Sequence, residues 1–263
     1  MRLPFSKPKI PVVQLRGIIA ARPGMLNLAG CTPALERGFA LAKKSGKLVL
    51  AIESPGGSAT QSDLIGQLIR RKAETDKIEV TAVIGDLGAS GGYWLACAAD
   101  NIFASRLSIV GSIGVVTESF GLHELISRWG IERRTLTAGE NKRRNDIFAP
   151  RKAEDVEFTQ DLLDEIHVMF KDWVRSRRGE RLTADEMQVF DGGYMLGERA
   201  KTLGLVDGFG DVEQVVKQLG GEKAKAVWLK PRPPRGLLRL IFRNAAEAAL
   251  DVAEERAAFP VVK

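Results

Sequence analysis

The chain predicts an α/β protein built on a parallel sheet, and three observations carry that prediction. Short apolar runs at Pro11 to Ala20, Lys47 to Glu53 and Ile78 to Gly85 are each bounded by Gly, Pro or charge, as strands buried in a parallel sheet tend to be. Helical patterns lie between them, at Thr32 to Lys44 and at Gln61 to Lys72, the second with Leu64, Ile65, Leu68 and Ile69 on one face. Alternation of strand and helix at this spacing implies βαβ units with right-handed crossovers.

The remaining elements follow in order. A helix is expected to start at Ser90 and run to about Asp100, followed by a short strand at Ile102 to Ala104. Gly111 to Val116 is extended and punctuated by glycine, Leu122 to Trp129 is helical, and Glu132 to Thr137 reads as a strand. Gly139 to Pro150 is polar, charged and without periodicity, so it is a loop. Glu154 to Arg178 is the strongest helix, with Leu162, Ile166, Met169, Phe170 and Trp173 as its apolar stripe. Arginines fill its last turn and Gly179 follows as a stop signal. Thr183 with Glu186 three residues on reads as a capping box. Pro231, Pro233 and Pro234 mark a linker, and Leu237 to Ala258 an Ala-rich helix, basic first and acidic later. The organisation is a basic arm over 1–10, a main domain over 11–220, and a linker with a C-terminal helix over 221–263.

A length of 263 residues is enough to bury a real core. A hydrophobic share of 44% with 27% charged residues is ordinary for a soluble globular chain. The net charge of +6 is spread along the sequence, and two Tyr and four Trp offer little for base stacking, so no nucleic-acid partner is expected. Cys31 and Cys97 lie far apart with no CxxC spacing, and His123 and His167 have no partners at ligand spacing. No metal and no cofactor are therefore expected. No run reaches the about 18–20 apolar residues of a membrane span, and no signal-peptide pattern is visible. The expectation for the chain as given is a cytoplasmic or peripherally membrane-associated protein.

Three glycine-rich islands each follow an expected strand: Ser54-Pro55-Gly56-Gly57, Gly88-Ala89-Ser90-Gly91-Gly92-Tyr93-Trp94, and Gly111-Ser112-Ile113-Gly114. Parallel α/β sheets place binding groups where strands end and helices begin. Ser90 falls at the first turn of a helix, where unpaired N–H groups and the positive dipole end stabilise a developing oxyanion. The same position also suits a plain helix N-cap. The string is read as distinct from the G-x-S-x-G elbow of α/β-hydrolases. If Ser90 is a nucleophile it needs a base. Neither histidine has a suitable setting, which points to a lysine. A lysine base must be neutral, so its ordinary pKa of about 10.4 must fall to about 7 through desolvation and cationic neighbours.

Ala89-Ser90-Gly91-Gly92-Tyr93-Trp94 followed by Gly111-Ser112-Ile113-Gly114-Val115, with Ser54-Pro55-Gly56-Gly57 upstream, resembles the signature of the signal-peptide-peptidase, or protease IV-type, serine peptidases. The resemblance spans roughly residues 10 to 215. It implies a Clp protease/crotonase-like ββα spiral core with outer helices. It implies that Ser90 is the nucleophile and that the lysine base lies in the loop Gly139 to Pro150, on Lys142, with Lys152 as the alternative. Gly56 and Gly57 match the oxyanion loop, and the N–H groups of Gly57 and Gly91 would bind the oxyanion. In this loop Asn141 stands where an aromatic is common, and Arg143 and Arg144 follow directly. The resemblance also implies a ring-like or dome-like homo-oligomer in which neighbouring subunits share the Ser–Lys dyad. Substrates would be cleaved signal peptides or other extended apolar peptides. The basic N-terminus and the helix from Leu237 suit attachment to a membrane surface. Two alternatives stand beside this reading: a crotonase-like acyl-CoA enzyme, and an inactive scaffold of the same fold.

Overall fold

The structure is a computed structural model that describes residues 7–139, 141–183 and 186–231. An eight-stranded sheet forms its centre, running β6-β5-β3-β2-β1-β8, with β4 branching from β3 and β7 pairing β4. The strands are β1 (Lys9–Arg16), β2 (Lys47–Ser54), β3 (Glu79–Ala89), β4 (Asn101–Ala104), β5 (Ile109–Gly111), β6 (Tyr194–Leu196), β7 (Gly208–Phe209) and β8 (Lys225–Leu229). All pairings are parallel except that of β5 with β6.

Alternation along each strand divides the core in two, because successive side chains point to opposite faces. Val13 and Leu15 of β1, Leu48, Leu50 and Ile52 of β2, and Val80, Ala82 and Ile84 of β3 face one cluster. It is covered by α1 (Leu28–Ala42), α2 (Ala59–Asp76) and α3 (Gly91–Cys97). Ile10, Val12, Val49 and Val83 face the other, closed by Val215 and Val216 of α8 (Val212–Gly220). A capping box between Asp211 and Gln214 starts α8. Two short helices precede α8: α6 (Glu186–Val189) and α7 (Gly197–Thr202).

Several elements are longer than the sequence pattern implies. Asn27 caps α1 by accepting the Gly30 N–H at 2.9 Å, so that helix starts before Thr32 and encloses Pro33. Ser58 caps α2 in the same way, and β3 continues past Gly85 to Ala89. Leu64, expected on the buried face of α2, is instead 41% exposed. Residues 225–229, which the sequence reading places in a linker, pair with β1 as β8.

The segment after Gly114 departs most from expectation. Glu132 to Thr137 is not a strand but exposed irregular chain, with no neighbouring strand to take its backbone groups. The short helix α4 (His123–Arg128) buries no residue. In α5 (Ala153–Arg178) only the C-terminal half meets the core: Phe170, Val174 and Arg178 are buried, while Leu162 and Met169 of the expected stripe are exposed. Thr183 donates its hydroxyl to the Thr202 carbonyl at 2.6 Å. The stretch that would complete its capping box includes residues outside those described, as do residues 1–6 of the arm and the expected helix from Leu237.

The C-terminal half of α5 clamps α3. Trp173 stacks on Trp94 with ring centroids 5.9 Å apart, Phe170 lies 4.9 Å from the same ring, and the Trp173 indole donates to the Trp94 carbonyl at 3.0 Å. Arg70 and Arg177 then cap the far end of α3, donating to the carbonyls of Ala98 and Cys97 at 3.2 and 2.9 Å. Below them Arg178, almost fully buried, makes a two-pronged ion pair with Asp207 at 2.8 and 2.9 Å.

Candidate active site

The site is built where β3 runs into α3. Leu87, Gly88 and Ala89 pair with Ile109, Val110 and Gly111 of β5, and the chain then turns at Ser90 into the helix. Ser90 holds φ 50° and ψ −123°, a conformation that non-glycine residues rarely adopt. Its N–H donates to the Gly111 carbonyl at 2.8 Å, and its carbonyl accepts from Trp94 N–H at 3.0 Å. Ser90 occupies the N-cap position, yet its side chain makes no capping hydrogen bond. The plain-cap reading therefore fails on geometry.

This turn also corrects the distinction drawn from sequence. Gly88-Ala89-Ser90-Gly91-Gly92 has G-x-S-x-G spacing, and it forms a tight strand-to-helix turn with the serine at positive φ. The spacing is a feature of this turn and assigns no hydrolase family.

The first glycine island packs directly against the turn. A Cβ on Gly56 would sit 2.7 Å from Ser90 Cβ and 2.6 Å from the Gly91 nitrogen, so only glycine fits. Gly57 follows at φ 134°, exposed, where a Cβ would run into the Ile19 carbonyl. The loop is held from behind. Ser54, fully buried, donates to the Gly17 carbonyl at 2.7 Å and accepts from Gly56 N–H at 3.1 Å. Ile19 N–H donates to the Gly56 carbonyl and Ser58 N–H to the Ile19 carbonyl, both at 2.7 Å.

The third island supplies the Gly111 carbonyl and then turns sharply. Ser112 has φ 51° and its N–H donates to the Gly193 carbonyl at 2.7 Å. His167 Nε2 lies 2.9 Å from the Ile113 carbonyl, so its role is to hold this segment. His123 opens α4, away from any catalytic arrangement.

All three islands thus meet at Ser90, but the lysines do not. Lys142 is exposed, and its backbone N–H donates to the Gly139 carbonyl at 3.3 Å. Lys152, also exposed, occupies the N-cap position of α5. Neither lysine hydrogen-bonds to Ser90 within the described residues of this one chain. Around Lys142, Arg133 and Arg143 pair with Asp146, and the Arg144 guanidinium lies 4.2 Å from the Phe158 ring centre. Val116, Phe120, Trp129 and Leu136 of the same segment are largely exposed.

Two buried thiols lie apart from this chemistry. Burial pushes Cys97 and Cys31 up to about 12, so both are inert core residues. Tyr93 is fully buried, and its hydroxyl donates to the Leu205 carbonyl at 2.8 Å. Among the described residues no group of His, Cys, Asp and Glu is placed to hold a metal ion. Sequence reasoning placed Ser54 and Gly111 in its glycine islands but did not foresee that Ser54 holds the Gly56 loop or that the Gly111 carbonyl takes the Ser90 N–H. For Ser54 a signal existed, since it continues the buried face of Leu48, Leu50 and Ile52 at the end of β2.

A parallel α/β core with a serine on a tight strand-to-helix turn, walled by two glycine loops, defines the class. The family model of peptidase family S49 matches residues 72–226, and the chain belongs to that family. It is 28% identical to the probable protease SohB of Haemophilus influenzae over 81% of this chain and 59% of that protein. It is 43% identical to a protein named as the Na(+)/H(+) antiporter NhaA of Brucella abortus, over 88% of this chain but 31% of that one. The chain thus spans only part of both relatives. Among solved structures, an alanine mutant of the 1510-N membrane-bound stomatin-specific protease matches with a TM-score of 0.50 at 15% identity, over 87% of this chain and 100% of that one. The fold is of the α/β class, a mainly parallel sheet with outer helices, expected from the sequence. Among the described residues no helix is long and apolar enough to cross a membrane.

Proposed function

We propose that the chain is a serine endopeptidase with Ser90 as nucleophile and Lys142 as general base, acting on extended apolar peptides such as cleaved signal peptides. The observation that carries this reading is the strained, uncapped turn at Ser90, packed against Gly56 and tied to Gly111. Membership of a peptidase family supports it over acyl-CoA chemistry.

In the proposed cycle the neutral Lys142 amine takes the Ser90 hydroxyl proton as Oγ attacks the peptide carbonyl. The oxyanion is bound by backbone N–H groups of Gly57 and Gly91. Gly91 precedes the first intrahelical bond of α3, made by Trp94 N–H to the Ser90 carbonyl, so it has no intrahelical acceptor. Lysine returns the proton to the leaving amine, and water then releases the acyl group by the same path reversed.

Lys142 is delivered from a neighbouring subunit of a ring-like or dome-like homo-oligomer. Two features support this. Among the described residues Lys142 makes no hydrogen bond to Ser90 of its own chain, and the segment that carries it exposes Phe120, Trp129 and Leu136. Large exposed apolar surface of this kind marks an interaction site. A membrane surface lying near the assembly is part of the same proposal, with substrates drawn from it. Domain limits of 11–220 for the peptidase unit, extended by β8, complete the reading.

The test is hydrolysis of apolar fluorogenic peptides by the wild type, Ser90→Ala, Lys142→Ala and Lys152→Ala. Loss in the first two with activity kept in the third is expected. Activity retained by Ser90→Ala sinks the reading, and loss confined to Lys152→Ala moves the base.

A further inference from the structure

We propose that Glu53 is a positioning residue for Ser90, its carboxyl group fixing the bend in β3 that aims the strand end into the turn. The inference rests on Ser90 being the nucleophile and deepens that reading.

The register shows the bend. β2 and β3 pair in step from Lys47↔Glu79 to Ile52↔Ile84, then resume only at Ser54↔Gly88. Opposite the single residue Glu53, β3 therefore carries Gly85, Asp86 and Leu87, a bulge of the kind that re-aims side chains beside active sites. The bulge also changes the partner of β3. Thr81 to Ile84 pair with β4, whereas Leu87 to Ala89 pair with β5. Ser90 is the next residue.

A bulge leaves backbone N–H groups without ladder partners, and these need acceptors. Glu53 Oε2 accepts the Asp86 N–H at 3.0 Å, and the Leu87 N–H also lies where it favours the charged carboxylate. Gly85 leaves the room, since a Cβ there would run into Glu53 Oε2. Ser108, buried, holds the other side by donating to the Gly85 carbonyl at 2.5 Å. Ser108 directly precedes β5, whose Gly111 carbonyl takes the Ser90 N–H. Glu53 and Ser54 thus point to opposite faces of β2, one holding the bulge behind Ser90, the other the Gly56–Gly57 loop in front of it.

The charged groups facing Glu53 are Asp86 from β3 and Arg16 from β1, the latter directly across in register. Half-burial first, and then the Asp86 charge, outweigh Arg16 and the two N–H donors, so its carboxyl is held above the ordinary glutamate range. Bulge and site should therefore respond together to mild acid.

The experiment compares wild type, Glu53→Gln and Glu53→Ala in the full chain. It reads kcat and KM across pH, the rate of Ser90 labelling by a fluorophosphonate, and amide exchange at Asp86, Leu87 and Ser90. For Glu53→Ala a fall in kcat and in labelling of about 10–100-fold is expected, from misplacement of the nucleophile, with KM within about threefold. Exchange at Asp86 and Leu87 should be faster by about tenfold or more. Glu53→Gln keeps an acceptor oxygen, so it should recover most of kcat and lose wild-type sensitivity on the acid limb. Unchanged kcat and exchange in Glu53→Ala overturn the proposal. If that variant does not fold, Glu53→Gln decides, and an acid limb identical to wild type overturns it. A wild type without Ser90-dependent hydrolysis refutes the peptidase reading instead, while exchange at Asp86, Leu87 and Ser90 still tests the role of Glu53.

Discussion

The Ser90 N–H donates to the carbonyl of Gly111 at 2.8 Å, so the second and third glycine islands are joined at Ser90 itself. The bond has a chemical consequence. The N–H of Ser90 is occupied, and an oxyanion at this turn must draw on its neighbours. Gly91 follows on the helix side, and Gly57 lies in the loop packed against it.

Gly56 sets how closely that loop approaches. Its φ of 101° already disfavours a side chain, and a Cβ would press on Ser90 Cβ and the Gly91 nitrogen. Gly56→Ala is expected to lower kcat/KM by about 100-fold or more, the scale of a lost oxyanion donor. Strain at a positive-φ residue adds a loss of about 1–3 kcal/mol in unfolding free energy. Peptide kinetics and denaturant unfolding measure the two effects separately. Near-wild-type kinetics would mean that the loop does not shape the site.

The buried pair under α3 predicts a pH dependence of stability. Burial alone would raise the Asp207 carboxyl, but hydrogen bonds and charge from Arg178 outweigh it and hold the group below the usual aspartate range. The carboxyl thus ionises more readily in the folded chain than in the unfolded one. It adds stability at pH above the unfolded value of about 3.9, and that stability is lost as pH falls through the lower folded value. Asp207→Asn should flatten the acid limb of the unfolding curve. Because it leaves the Arg178 charge buried without its partner, it should also cost about 3–5 kcal/mol at neutral pH. A wild-type acid limb in the variant would place the linkage elsewhere.

Much of this was legible in the sequence, for physical reasons that differ by region. The β1–β3 core was readable because buried parallel strands need near-continuous apolar runs, as in Leu48, Val49 and Leu50. Ser90 was readable as a helix start, and the linked motifs marked it as more. The partner of its N–H was not readable, since Gly111 reaches it only when β5 pairs with the end of β3. Glu53 escaped notice because one charged residue at a strand end is ordinary, and only the register break opposite it reveals a role. Glu132 to Thr137 misled because its last residues, Thr135, Leu136 and Thr137, have the composition of a strand end, yet Leu136 is fully exposed. Apolar residues on an exposed segment can follow the same sequence pattern as those that serve a core.

That segment gives a direct prediction. Trp129 and Leu136 are 76% and 101% exposed, so replacing them removes little internal packing. At protein concentrations where both are monomeric, Trp129→Glu combined with Leu136→Glu should leave the thermal midpoint within about 2 °C, since surface changes stay within about 0.5 kcal/mol. The same variant should shift sedimentation toward the monomer, because two charges would oppose burial of that face. An unaltered assembly would exclude these residues from its interface.

The sharing of the dyad is tested by mixing two inactive proteins. A Ser90→Ala subunit still carries Lys142, and a Lys142→Ala subunit still carries Ser90. If each site takes its serine from one subunit and its lysine from the next, mixed assemblies contain complete sites at some junctions. In a ring with random placement at equal ratio, a junction pairs an intact serine with an intact lysine in about a quarter of cases, so about a quarter of wild-type kcat should return. If both residues come from one chain, every site in the mixture lacks one of them and no activity returns. Exchange must be verified by mass-tagged subunits, so that silence in a mixed assembly rejects the shared site. The Trp129→Glu, Leu136→Glu protein should give no recovery with the Lys142→Ala partner, because its altered segment would not bring Lys142 to that partner's Ser90.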